Sequence, residues 1–165
     1  MTKISDNIVN AAAALPVYVF ISSLLEGIIF QDNRGLVFFI VLVINSIVNL
    51  ILKALLWKNT PNTERPKDGP ELACGDKYGM PSGHSQFVWC FAIFWILYIS
   101  YSKIFVNKVA NVLSILCLLF IAIIVSQSRI FIKCHTRYQV IVGALIGSIV
   151  AIILFYITKK MLMKN

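Results

Sequence analysis

The chain has two histidines in 165 residues, and each stands where a polar stretch meets long apolar sequence. His84 lies in Tyr78-Gly79-Met80-Pro81-Ser82-Gly83-His84-Ser85-Gln86-Phe87, directly before a run of 18 uncharged residues, 85–102. Pro81 fixes one backbone angle and disfavours helix at Met80. Ser82 or Ser85 can cap a helix N-terminus, and Gly83 lets backbone approach a ligand closely. A helix N-terminus favours an anion, phosphate being the usual one. His135 follows Ser128-Arg129 after five residues, and Lys58 is followed after six by Arg65-Pro66. Guanidinium forks fit phosphate bidentately, and lysine adds a point charge. Histidine titrates near working pH and serves as base, acid or nucleophile. Each group alone has a plainer reading: a helix cap with a chance histidine, or a cation anchoring a helix end at a membrane surface.

The elements that must carry these groups are membrane helices. The chain is 59% hydrophobic and 13% charged, outside the range of soluble domains. Five apolar runs are long enough to cross a bilayer of roughly 30 Å: 7–25 (continuing past Glu26 to 30), 35–52 (reaching 57 past Lys53), 85–102, 109–128 and 138–158. In lipid such runs satisfy their own backbone only as α-helices. The expected fold is therefore all-α, a multi-pass bundle of about five spanning helices. It forms one membrane-embedded domain over 1–165 with its core over 53–158 and an active site at one membrane face. Residues 1–6 precede a run too long for a signal peptide's apolar core, so no cleavable signal is expected. The net charge of +8 would fit nucleic acid in a soluble chain. Here the cations lie at the ends of apolar runs, so membrane lipids, not nucleic acid, are the expected partners. Oligomeric state is not legible.

The polar segment 58–83 holds four cations, four acids and four of the five prolines, and reads as a loop. A second polar segment, 129–137, joins the last two runs. With an odd number of spans both lie on one face. The other face carries Arg34, Lys103, Lys108, Lys159, Lys160 and Lys164 against Asp32 alone. Excess Lys and Arg marks the cytosolic side, which places the polar segments away from the cytosol.

Taken together, Lys58-x6-Arg65-Pro66, Pro81-Ser82-Gly83-His84 and Ser128-Arg129-x5-His135 resemble the three-part signature of the type-2 phosphatidic acid phosphatase and vanadium haloperoxidase superfamily, over about two thirds of the chain. The resemblance implies that Lys58, Arg65, Ser82, Gly83 and Arg129 bind phosphate. It implies that His135 attacks phosphorus to form a phosphohistidine, that His84 protonates the leaving oxygen, and that no metal or other cofactor is required. A haloperoxidase reading fails on hydrophobicity. The surroundings of His84, and His135-Thr136-Arg137-Tyr138-Gln139-Val140, are most similar to the dolichyl-diphosphatase branch. That branch removes one phosphate from dolichyl diphosphate at the lumenal face of the endoplasmic reticulum, recycling the carrier of protein glycosylation. The implied substrate is a polyisoprenoid lipid diphosphate. In a bacterium the corresponding face would be periplasmic. Gly83 departs from the branch, which more often has serine there; glycine is the broader superfamily's form and keeps a general lipid phosphatase, acting on phosphatidic acid or undecaprenyl diphosphate, as the alternative. A non-catalytic lipid-binding or channel protein would require both histidines to occupy motif positions by accident.

Where many superfamily members place an aspartate four residues after the nucleophile, this chain has Gln139. Its amide oxygen can accept the His135 ring N–H and set the tautomer, without the charge of a carboxylate. Gln139 is therefore expected to tilt the site toward diphosphates. The four cysteines show no zinc-ligand spacing. Cys90 and Cys117 read as core residues. Cys74 and Cys134 fall in the two polar segments; free thiols are the expectation, and a disulfide is the alternative on an oxidising face. Glu26 reads as an acid near the membrane interface.

Overall fold

The computed structural model describes residues 3–30, 33–59, 64–66, 74, 78–102 and 107–163, with side chains from residue 14 of the first helix and up to residue 56 of the second. Five helices carry the chain: α1 (Lys3–Ile29), α2 (Asn33–Asn59), α3 (Gly83–Ser102), α4 (Lys108–Phe131) and α5 (Arg137–Leu162). Among the described residues four stretches are long and apolar enough to cross a membrane: Asn33–Leu56, Gly83–Ser102, Lys108–Phe131 and Arg137–Leu162. The described side chains of α1 form a shorter apolar stretch, Ala14–Ile29. Arg129, expected in a connecting segment, closes the last turn of α4, and Arg137 opens α5.

α3 is the central helix and packs against all four others, most extensively against α5. It is also the least apolar of the four spans. The two facts belong together: a helix surrounded by protein can carry polar groups that find partners, whereas one facing lipid cannot. Ser85 Oγ donates to Val140 O at 2.8 Å and meets Ser126 Oγ at 3.2 Å, joining α3 to α5 and α4. Trp89 Nε1 donates to the same Ser126 hydroxyl at 3.1 Å. Gln86 Nε2 donates to the Asn45 backbone and side-chain oxygens, both at 3.0 Å, while Asn49 Nδ2 donates to Gln86 Oε1 at 2.8 Å, joining α3 to α2. Such bonds act as glue where water cannot compete, at about 0.6 kcal/mol each and up to ~2.

The α3–α5 contact depends on Gly143 and Gly147, spaced as in a G-x-x-x-G pair. A β-carbon at Gly143 would lie 2.6 Å from Ser82 O, and one at Gly147 would run into the Gln86 carbonyl. Below this polar layer Phe38, Leu42, Phe87, Phe94 and Phe155 form the apolar core between α2, α3 and α5. Leu113, Leu116 and Phe120 on α4 and Leu145, Ile149 and Ile153 on α5 point outward, as a bilayer requires. Cys90 is buried in the core, but Cys117 is exposed on the outer face of α4, because that face meets no other helix. Glu26 is exposed in the last turn of α1.

Candidate active site

The site lies at the end of the bundle where α2 and α4 finish and α3 and α5 begin. Beyond Phe131 the chain reverses in five residues. Lys133 adopts a left-handed backbone, φ 59°, and the turn brings Cys134 N and His135 N back to Arg129 O, each at 3.1 Å. Thr136 then caps α5. Its hydroxyl accepts from Gln139 N at 3.3 Å while Gln139 Oε1 accepts from Thr136 N at 3.2 Å, a reciprocal capping box. The Thr136-x-x-Gln139 spacing is the sequence signal for it. On α3 neither serine caps. Ser85 is bonded across to α4 and α5, and Ser82 Oγ, fully buried, has no hydrogen-bond partner among the described residues. Ser82 N donates to Gln139 O at 3.1 Å, so the start of α3 hangs on the start of α5.

His135 is held from both sides of its ring. Nδ1 lies 3.2 Å from Gln139 Oε1, and Nε2 lies 3.2 Å from Arg65 Nη1. The tautomer follows from the partners. Gln139 Nε2 donates to Glu64 O at 2.8 Å, which fixes Oε1 as the atom facing the ring. An amide oxygen only accepts and a guanidinium only donates. The proton therefore sits on Nδ1, and the Nε2 lone pair points at Arg65. His135 as a whole is 2% exposed. Burial first, then the positive charges of Arg65, Arg129 and Lys53, push its pKa down to about 3, against the opposing pull of the Gln139 hydrogen bond. At neutral pH the ring is an uncharged base.

Arg65 also donates to Cys134 O at 3.4 Å. A cavity of about 450 Å³ is lined by Arg65, His84, Gly83 and His135, and continues between α1, α2 and α3 along Lys53, Asn49, Ser46, Asn45, Leu50, Phe87 and Phe20. Of the expected site residues, His84, Gly83, Arg65 and His135 thus share one cavity. Arg129, fully buried, lies close enough for its charge to act on the His135 ring. Gln139 backs the ring, and Ser82 adjoins at the α3 start. The side chain of Lys58 lies outside the described residues.

Two further features bear on the site, the first the alternative the sequence left open and the second not anticipated. Cys74 and Cys134 form a disulfide, with Cα atoms 5.1 Å apart, in place of two free thiols. Sixty residues separate them, so the proximity is invisible in the sequence. Lys53 lies inside the α2 span yet faces the cavity. Its four-residue spacing from Asn49, and that residue's from Asn45, was the available signal.

Fold and site together define a multi-pass membrane protein with a cationic, histidine-centred pocket at one end of its bundle. Residues 34–162 match the PAP2 superfamily, and the chain belongs to that superfamily. It is a hydrolase of the membrane lipid phosphatase kind. It is 32% identical to "Dolichyldiphosphatase 1" of Homo sapiens over 96% of this chain and 67% of that protein. Identity to "Dolichyldiphosphatase 1" of Dictyostelium discoideum is 31% over 81% of this chain and 56% of the relative. The fold is shared with the crystal structure of a transmembrane PAP2 type phosphatidylglycerolphosphate phosphatase from Bacillus subtilis, at a TM-score of 0.72 and 20% identity, over 96% of this chain and 76% of that one.

Proposed function

We propose that this protein hydrolyses a polyisoprenoid lipid diphosphate, of the dolichyl diphosphate kind, to the lipid monophosphate and inorganic phosphate. The observation that carries the mechanism is the two-sided hold on His135: Nδ1–H on Gln139 and an unprotonated Nε2 beside Arg65 in a cavity shared with His84. A terminal phosphate entering the cavity takes over the Arg65 guanidinium and frees Nε2. The Nε2 lone pair attacks phosphorus, the bond from phosphorus to the bridging oxygen breaks, and protonated His84 gives its proton to the departing lipid phosphate. Water then attacks the phosphohistidine, His84 accepts the water's proton, and inorganic phosphate leaves with His135 restored. Arg65 and Arg129, with Lys58 by the family pattern, stabilise the charge spread over the equatorial oxygens. The buried Ser82 hydroxyl supplies a further donor. An alternative, broader lipid phosphatase follows from the family pattern at Gly83, where a β-carbon would lie 3.3 Å from Asn49 Oδ1.

The similarity to dolichyldiphosphatases supports a role in recycling the glycosylation carrier at the endoplasmic reticulum. The Cys74–Cys134 disulfide supports an oxidising, lumenal site face. A tag after Asn165 should then be protease-accessible in sealed microsomes, and the reverse would overturn the orientation. His135→Ala should insert normally and lose essentially all phosphate release, with wild-type turnover persisting in EDTA and inhibited by vanadate. Substantial activity in His135→Ala would refute the mechanism. Competition among dolichyl diphosphate, farnesyl diphosphate and phosphatidic acid separates the two substrate readings.

A further inference from the structure

Lys53 stands outside the three-part motif. It is part of the membrane-crossing stretch Asn33–Leu56, where an ammonium group is costly unless it faces a cavity or partner. It is half-buried and lines the same cavity as Arg65, His84 and His135. Asn45, Asn49 and Lys53 follow one another at four-residue intervals, so they form a polar stripe along one side of α2, each about 6 Å deeper than the next. Lys58, the motif's lysine, is five residues beyond Lys53 in the chain.

The order of the lining therefore changes with depth. Nearest the end of the bundle are Arg65, His84 and His135. Along α2, from the site end inward, the lining begins with Lys53, continues with Leu50 and Asn49, and then reaches Ser46 and Asn45, with Phe87 of α3 and Phe20 of α1 forming apolar wall beside them. A lipid substrate must enter with its phosphate at His135 and its chain returning toward the bilayer. Whatever group joins the transferred phosphate to the chain passes Lys53. In a diphosphate that group is a second, anionic phosphate; in a monophosphate it is a neutral carbon. Arg65 and Arg129 already gather at the first position.

We propose that Lys53 is the specificity cation for the second phosphate, the one that stays on the lipid, and that the cavity is thereby built for lipid diphosphates over monophosphates. This rests on the phosphatase reading given above. Lys53 binds the phosphate of the leaving group, so it favours both capture of the substrate and departure of the lipid monophosphate. Asn49, whose amide is held by Gln86, forms the polar floor beneath it.

The test uses the purified full-length protein with farnesyl diphosphate and farnesyl phosphate, two substrates with one tail. Lys53→Met should lower kcat/KM for the diphosphate at least tenfold more than for the monophosphate, and Lys53→Arg should keep the wild-type preference within about threefold. Equal losses on both substrates in a folded, monodisperse Lys53→Met, or no loss on either, would overturn the subsite while leaving the phosphatase reading intact. Wild-type protein inert toward farnesyl diphosphate would overturn that reading and the subsite with it. Should Lys53→Met fail to fold, competition in the wild type decides: inorganic pyrophosphate inhibiting at least tenfold more tightly than inorganic phosphate supports the subsite, and equal inhibition overturns it.

Discussion

Gln139→Glu is the sharpest perturbation of the proposed nucleophile's setting, because it changes charge and donor pattern while keeping shape. Aspartate is one methylene shorter and would open the 3.2 Å contact to His135 Nδ1. In Gln139→Glu the ring keeps an acceptor, now charged, while Glu64 O loses its 2.8 Å donor and faces a carboxylate oxygen instead. The lost bond and the new repulsion should weaken this tie between the Arg65 segment and α5 by about 1–3 kcal/mol. The opposite charge beside the ring should raise the His135 pKa by ~1–3 units from about 3. Since attack requires neutral Nε2, the acid limb of kcat/KM should move to higher pH by the same amount. The new carboxylate also repels a diphosphate more than a monophosphate. One extra unit charge roughly 10 Å away at an effective dielectric of ~20 costs at most ~1.7 kcal/mol, or roughly fifteenfold. The assay is kcat/KM for a lipid diphosphate and its monophosphate across pH 4–8. A substrate ratio unchanged within a factor of about two, ~0.4 kcal/mol, together with an unmoved acid limb, would refute the reasoning.

Stability should fall on acidification, because buried His135 refuses a proton that the unfolded chain takes up below its ordinary pKa of 6.5. The loss begins as pH drops through 6.5, runs at no more than ~1.4 kcal/mol per pH unit toward about 3, and is absent above 6.5. The drop in Tm from pH 7 to pH 5 should shrink in His135→Gln, and an equal drop would contradict this. Gly147→Ala should cost at least ~1 kcal/mol through separation of α3 and α5, read as a lower Tm in detergent, and an unchanged Tm would show that the helices do not approach as described. Cys74→Ser should cost about 4 kcal/mol by opening a loop of 60 residues. Mass spectrometry of the unreduced wild type checks the bond itself, and two alkylatable thiols at Cys74 and Cys134 would disprove it.

Much of this molecule is local and was legible as such. The apolar runs became helices because lipid offers the backbone no other partner, and their ends fell within a few residues of the charges that bound them. The motif residues are legible because phosphate chemistry demands particular side chains at spacings that a helix end and a tight turn preserve. The capping box and the glycine pair were equally local, written in Thr136-x-x-Gln139 and Gly143-x-x-x-Gly147, and needed only to be looked for. Tertiary structure decided the rest. A serine three residues into a polar turn reads as a cap, yet Ser85 bonds two neighbouring helices, because which side of α3 meets them depends on packing across the bundle. Cys74 meets Cys134 only because the tertiary fold sets that one residue against the α4–α5 turn. Lys53 reads as a cation near a helix end until α1 and α3 close around it. Side chains distant in sequence share a cavity only when helix faces choose each other, and that choice depends on the fit of whole surfaces, which no single stretch of sequence contains.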